Sequence, residues 1–188
     1  MTNWYTADQH YGHDNIRKYA NRPFYSCHEM NCVITKKWNK RVQEDDTIYV
    51  IGDFCFGNPL TYIKRLNGTK ILIKGNHDRN RTMKAFDFSY LCKPIQIGKY
   101  NCIMNHRPIH PEGTPDPYRD HGKVPEPWKY DFFISGHIHQ HRLWTGYSIN
   151  VGVDVTDFYP ISEELVLKLL TQREEELGGT NKTNHGRI

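Results

Sequence analysis

Five short apolar runs in this chain each stop at residues that can hold a metal ion or a proton. "WYTA" at 4–7 runs into Asp8-Gln9-His10, "TIYVI" at 47–51 into Gly52-Asp53, and "KILIK" at 70–74 into Gly75-Asn76-His77-Asp78. "CIM" at 102–104 leads to Asn105-His106, and "FFIS" at 132–135 to Gly136-His137-Ile138-His139. Nearly continuous apolar character, with little alternation, marks strands buried on both faces. The polar residues therefore sit at the carboxyl ends of buried strands, which is where open α/β sheets place ligand sites. A sixth run, "YSINVGVDV" at 147–155, is weaker because Gly152 interrupts it.

Helical patterns lie between these runs. Ser26 and Glu29 form a Ser-x-x-Glu capping box, followed by Met30, Val33, Ile34 and Trp38 at helical spacing. A shorter helix is expected over 59–67, with Asn58 as cap, Pro59 in the first turn, Gly68 past the end, and Leu60, Ile63 and Leu66 facing inward. Near Ser162, Glu163 and Glu164 suit the positive end of a helix dipole, and Leu165, Val166, Leu169 and Leu170 make an apolar stripe. Strands alternating with helices imply an α/β layered fold. The segment 107–130 holds six prolines, which exclude a regular helix and predict a long ordered loop or lid.

A chain of 188 residues is long enough for one sizeable core, so a single domain is expected over 1–177, with a polar, frayed tail at 178–188. The formal charge of +4 is spread among acidic residues, which tolerates anionic substrates but gives no concentrated basic stripe for nucleic acid. Five cysteines without a CxxC pair, with Cys32, Cys55 and Cys102 in apolar surroundings, point to reduced, packed thiols. Neither a signal peptide nor an apolar run of membrane-spanning length is present, so a soluble cytoplasmic protein is expected.

Asp-x-His and His-x-His place two donors on the same side of an extended segment, because strand side chains repeat every two residues. Each pair can chelate one ion, and mixed nitrogen and oxygen donors without thiolate favour Mn, Fe or Zn over Ca or Mg. Asp8, His10, Asp53, Asn76, His106, His137 and His139 make seven donors, more than one ion normally takes from protein while keeping an open position. Two ions sharing a bridging carboxylate fit better, and such pairs suit attack of a metal-bound hydroxide in line at phosphorus. Gly52, Gly75 and Gly136 precede the ligand-bearing stretches, where the chain must turn sharply or be closely approached.

Taken in order, "DQH" at 8–10, "GD" at 52–53, "GNHD" at 75–78, "NH" at 105–106 and "GHIH" at 136–139 resemble the signature of the calcineurin-like metallophosphoesterases. The resemblance implies a four-layer α-β-β-α sandwich of two mixed β-sheets flanked by helices. It assigns Asp8, His10, Asp53 and His139 to one metal ion and Asp53, Asn76, His106 and His137 to a second, with Asp53 bridging. By the same resemblance His77 contacts the phosphate and protonates the leaving oxygen, and Asp78 orients His77. "GDFCFG" at 52–57 lacks the aspartate and arginine of the protein serine/threonine phosphatase branch. "DQHYGHDNI" and "NRPF" instead look like small stand-alone bacterial and phage-type members. His13, Asn15 and Arg107 are candidate substrate contacts, the last because a guanidinium matches a phosphate oxygen pair.

The implied cofactors are two divalent transition-metal ions among Mn, Fe, Zn and Ni, with Mn favoured. The leading functional reading is a phosphodiesterase acting on a small or cyclic nucleotide, because the chain is short for a large substrate-binding domain. A phosphomonoesterase comes next, then a nuclease, then a non-catalytic metal-binding scaffold.

Overall fold

The computed structural model describes residues 1–108, 129–140 and 142–178. Along the chain lie β1 (Asn3–Thr6), α1 (Ile16–Tyr19), α2 (Cys27–Arg41), β2 (Thr47–Ile51), α3 (Leu60–Ile63), β3 (Thr69–Ile73), α4 (Asn80–Met83), β4 (Phe88–Tyr90), β5 (Lys93–Ile97), β6 (Tyr100–Met104), β7 (Phe132–Ser135), β8 (Trp144–Thr145), β9 (Ser148–Asn150), β10 (Ile161–Ser162) and α5 (Glu163–Glu176). The strands form two mixed five-stranded sheets, ordered β10-β1-β2-β3-β4 and β5-β6-β7-β9-β8. In the first, β1 to β4 are parallel and β10 closes one edge antiparallel. In the second, β6, β7 and β9 are parallel, with β5 and β8 antiparallel outside them.

The two-residue period of a strand splits the first sheet between two cores. Tyr5, Tyr49, Ile51, Ile71 and Ile73 face the second sheet, where they meet Cys102, Met104, Phe132, Ile134 and Ile149, joined by Val166 and Leu170 of α5. Ile48, Val50 and Leu72 point the other way, onto Ile16 of α1 and Met30, Ile34 and Trp38 of α2. Strands covered on both faces explain the unbroken apolar runs. The resulting fold of two mixed sheets with helices is the one the resemblance implies.

α2 starts as the sequence indicates: the Ser26 hydroxyl oxygen accepts from the Glu29 N–H at 3.1 Å. Glu29 reaches back one residue further than a capping box requires, accepting from the Tyr25 N–H at 2.6 Å. Three expected packing positions differ. α3 is one turn, so Ile63 and Leu66 are buried while Leu60, at its entry, is exposed. The inward stripe of α5 centres on Val166 and Leu170; Leu165, about 100° round the helix from Val166, is exposed. Cys32 lies on the outer face of α2 and is exposed, whereas Cys55 and Cys102 are buried; all five cysteines are free thiols. Residues 109–128, most of the proline-rich segment, and the tail from 179 fall outside the described residues.

Candidate metal centre

Parallel pairing brings the carboxyl ends of β1, β2 and β3 to one side, and those of β6, β7 and β9 likewise. The two sets are stitched together just beyond the strands. Ala7 bridges Gly152 in parallel and accepts from the Val153 N–H at 2.9 Å, while within the first set the Asp8 N–H donates to the Gly52 carbonyl at 3.0 Å and the His10 N–H to the Asp53 carbonyl at 3.0 Å. The His137 N–H donates to Asp8 Oδ2 at 2.8 Å, tying the second sheet's last ligand stretch to the first sheet's opening one. Space at this seam is short. Gly52 turns at φ +83°, and a Cβ there would lie 2.3 Å from His106 Nδ1; a Cβ on Gly136 would lie 2.5 Å from Asp8 Oδ2.

Two clusters result, Asp8 with His10 and His139, and Asp53 with His106 and His137, the donor atoms of each lying within 4.8 Å of one another. Asp53 Oδ2 stands 3.6 Å from His10 Nε2 and 3.3 Å from His106 Nε2, so one carboxylate oxygen faces an imidazole of each cluster. Asn76 joins through Oδ1, 3.1 Å from His106 Nε2. All seven candidate ligands thus meet at one place. Five of them, Asp8, His10, Asp53, His137 and His139, have left-handed backbones, with φ of 60°, 52°, 56°, 73° and 49°. Such conformations are sparsely populated without glycine, cost about 1–3 kcal/mol each, and cluster where function demands a particular side-chain direction.

The donor set fits a pair of ions. Asp8 Oδ1 and both ring nitrogens of His10 are buried and make no hydrogen bond, although a buried polar atom without a partner is rare and needs an explanation. Unprotonated imidazole nitrogens and carboxylate oxygens aimed at a common point suit divalent transition metals.

Burial and mutual charge set the protonation of these groups before any ion binds. Burial, reinforced by neighbouring His139, Arg22 and His77, depresses the His10 pKa well below the usual imidazole range despite Asp53, keeping the ring neutral. Burial raises Asp8 to about 6 against the pull of His106 and His139. Burial also opposes ionisation of Asp53, but the imidazoles of His106 and His10 and the His77 N–H outweigh it and hold the carboxyl well below the ordinary range. The converse holds at His106, where burial resists charge and Asp53 overrides it, raising the ring to about 9. His106 Nδ1 faces the Ile51 carbonyl at 2.8 Å; with a proton held there, an ion at Nε2 would displace the second ring proton, which Asp53 stabilises in its place.

Two supporting residues escape a reading of motifs. Asp154 Oδ2 lies 2.7 Å from His139 Nδ1, which directs Nε2 of that ring into the cluster. Asp154 in turn accepts from the buried Arg22 guanidinium at 2.7 and 2.9 Å, and Arg22 also donates to the Asp8 and Gln9 carbonyls at 2.7 and 2.9 Å. Burial works against the charge on Asp154, but His139 and Arg22 lower its pKa below the ordinary value. The available signals were the "NRPF" stretch holding Arg22 and the aspartate in the weak sixth apolar run.

Asp78 corrects an expectation. Its Oδ2 accepts from the Asp53 and Gly75 N–H groups at 2.8 and 2.9 Å and its Oδ1 from the Phe54 N–H at 3.1 Å. The carboxylate therefore clamps the ends of β2 and β3 together and does not orient the His77 ring. His77 itself is 47% exposed, its N–H donating to Asp53 Oδ1 at 2.9 Å and its Nε2 lying 3.9 Å from Asp53 Oδ2. His13 borders the cluster, with its ring centre 5.6 Å from that of His10. Asn15 is exposed at the entry to α1, where its side chain makes no capping bond. Arg107 is half-buried beside His106, and its carbonyl accepts from Asn105 Nδ2 at 2.7 Å.

Comparison with known proteins agrees with this geometry. The calcineurin-like phosphoesterase superfamily domain matches residues 8–152, spanning every candidate ligand. An uncharacterized protein of Methanocaldococcus jannaschii is 30% identical over 178 residues, covering 87% of this chain and 88% of that protein. The Gene 66 protein of Mycobacterium phage L5 is 24% identical over 210 residues, covering 93% and 97%. Among solved structures, a protein of unknown function from Aquifex aeolicus superposes with a TM-score of 0.69 at 27% identity, covering 89% of this chain and 98% of its own. A chain with this family match and these two Asp/His clusters belongs to the calcineurin-like phosphoesterase superfamily.

Proposed function

We propose that the protein is a dinuclear metal-dependent phosphodiesterase acting on a small or cyclic nucleotide. The observation that carries the reading is Asp53 Oδ2 placed between His10 and His106, one imidazole from each cluster. Two divalent ions held there, with Mn favoured, would supply Lewis acidity at the phosphoryl oxygens and an activated water for in-line displacement. The residues do the rest. Asp8, His10 and His139 hold one side, Asn76, His106 and His137 the other, and Asp53 joins them. Arg22 and Asp154 fix the His139 ring, and the Ile51 carbonyl fixes that of His106. His77, half exposed and tethered through its N–H to Asp53, delivers a proton from Nε2 to the departing ester oxygen.

A small substrate is supported by charge that is modest and dispersed, where a long nucleic acid would call for a basic stripe. A cytoplasmic setting is in keeping with five free thiols; among the described residues, no helix is long and apolar enough to cross a membrane. The test is hydrolysis of bis-p-nitrophenyl phosphate against p-nitrophenyl phosphate after loading with Mn, Fe, Zn or Ni. Faster turnover of the diester is expected. Preference for the monoester would move the assignment to phosphomonoesterase, and no turnover with any metal would remove the enzymatic reading.

A further inference from the structure

Phe56 follows the Gly52-Asp53 turn by a few residues and is 36% exposed, an unexpected place for a phenyl ring beside so polar a centre. It is held firmly: its N–H donates to the Tyr11 carbonyl at 2.8 Å, and its neighbour Cys55 forms a parallel bridge with Tyr11. Three imidazoles surround the ring. His13 stacks on it at 4.0 Å between centres and 20° between planes, His77 lies 5.2 Å away, and His10 lies 5.9 Å away. The largely exposed Tyr19 extends the aromatic surface past His13, at 6.3 Å. His13 Nδ1 is buried without a hydrogen-bond partner, and burial lowers the pKa of the ring, favouring its neutral form against Phe56. After Phe56 the chain turns at Gly57, φ +95°, where a Cβ would meet nothing within 4 Å.

An aromatic ring centred 5.9 Å from that of the candidate ligand His10 and 5.2 Å from that of His77 borders the place where, on the phosphoesterase reading, an ester substituent would lie. We infer that Phe56 and His13 form a stacking shelf for the nucleobase of the substrate, placing a base-bearing nucleoside on the His77 side of the phosphate. The inference rests on the phosphoesterase reading above and adds what that reading leaves open, namely which part of the chain recognises the organic group. Stacking accepts any flat base, because every base presents a π face. The shelf therefore selects nucleosides as a class over sugars and alkyl esters. A purely structural Phe56, there to shield the His10 ring from water, predicts no such selection.

The test is calorimetric binding of adenosine 5′-monophosphate and ribose 5-phosphate to the Mn-loaded protein, the two ligands differing only in the base. The nucleotide should bind about tenfold tighter. The ratio of the two affinities is the readout, and it should fall towards one in Phe56→Leu, which keeps the apolar bulk over His10 but removes the ring, and persist in Phe56→Tyr. Metal content and thermal unfolding confirm that each variant is folded and loaded. Equal binding of the two ligands, or a ratio that survives in Phe56→Leu, overturns the shelf while diester hydrolysis still stands. Failure of both phosphates to bind, together with absence of hydrolysis, overturns the shelf and the phosphoesterase reading together.

Discussion

His139 meets Asp154 through one ring nitrogen and faces the cluster with the other, so the aspartate determines which nitrogen carries the proton. Replacing Asp154 by Asn removes the charge that stabilises the Nδ1 proton and leaves Arg22 buried with a neutral partner. Loss of such a supporting carboxylate typically weakens metal affinity about 10–100-fold, and a metal titration of Asp154→Asn followed by calorimetry should show that loss at one of two sites. Retention of wild-type affinity at both would mean that the Asp154 contact is incidental. His77 behaves differently, because it borders the cluster and is half exposed. His77→Ala should keep both ions and lower kcat by about 100-fold or more on a nucleoside diester, general acid catalysis being worth roughly 10²–10⁴-fold. The drop should be smaller with a p-nitrophenolate leaving group, which departs without a proton; loss of metal in this variant would make His77 a ligand. The candidate ligands were legible in the sequence because their chemistry is written in residue type and their spacing is local. Arg22 and Asp154 were not, since they meet across 132 positions and no local pattern records such a contact. Asp78 misled for a related reason: adjacency to His77 says nothing of where its carboxylate points, and three backbone amides claim it.

At the scale of the elements, the four- and five-residue strands β1, β2, β3, β6 and β7, buried over half or more of their length, were readable from continuous apolar runs, and α2 from its cap. The edges were not. β4, β8 and β10 have only three, two and two residues, too few to show a period, and β5 alternates in burial in a way that a loop also would. One junction between elements ties the first sheet to α2. The buried Asp46 carboxylate, just before β2, accepts from the Thr2 N–H at 2.7 Å, the Trp4 indole N–H at 2.9 Å and the Gln43 N–H at 3.0 Å. Burial raises its pKa, but these three hydrogen bonds win and leave the carboxyl below its ordinary value. A depressed carboxyl stabilises the fold above the unfolded-state pKa of about 3.9, and that contribution is lost as pH falls through the folded-state value. Asp46→Asn should therefore cost about 1–3 kcal/mol at pH 7 in urea unfolding, with the difference from wild type closing below about pH 4. A gap unchanged at low pH would show that the carboxylate's charge contributes nothing. Ser26→Ala should lower stability by about 1 kcal/mol at every pH, since the hydroxyl cap of α2 does not titrate.

For the whole molecule, the site is also a concentration of unfavourable terms. Five candidate ligand residues sit in left-handed backbone, Asp8 is fully buried with its ionisation resisted, and His10 has two buried nitrogens without hydrogen bonds. These terms fall on the seam where the two sheets are joined by hydrogen bonds from the His137 N–H to Asp8 and from the Val153 N–H to Ala7. Binding of ions only to the folded state offsets them by mass action, by about 2.7 kcal/mol when free metal is 100 times its dissociation constant. In a domain of this size each kcal/mol moves the melting temperature by about 2–4 °C. Stripping the protein with a chelator should therefore lower Tm by about 5–10 °C, and Mn should restore it. Asp53→Asn should abolish most of that metal-dependent rise, because the one oxygen between the clusters loses its charge, while shifting the metal-free Tm far less. An equal rise in wild type and Asp53→Asn would place the stabilising metal elsewhere and remove Asp53 from its bridging role.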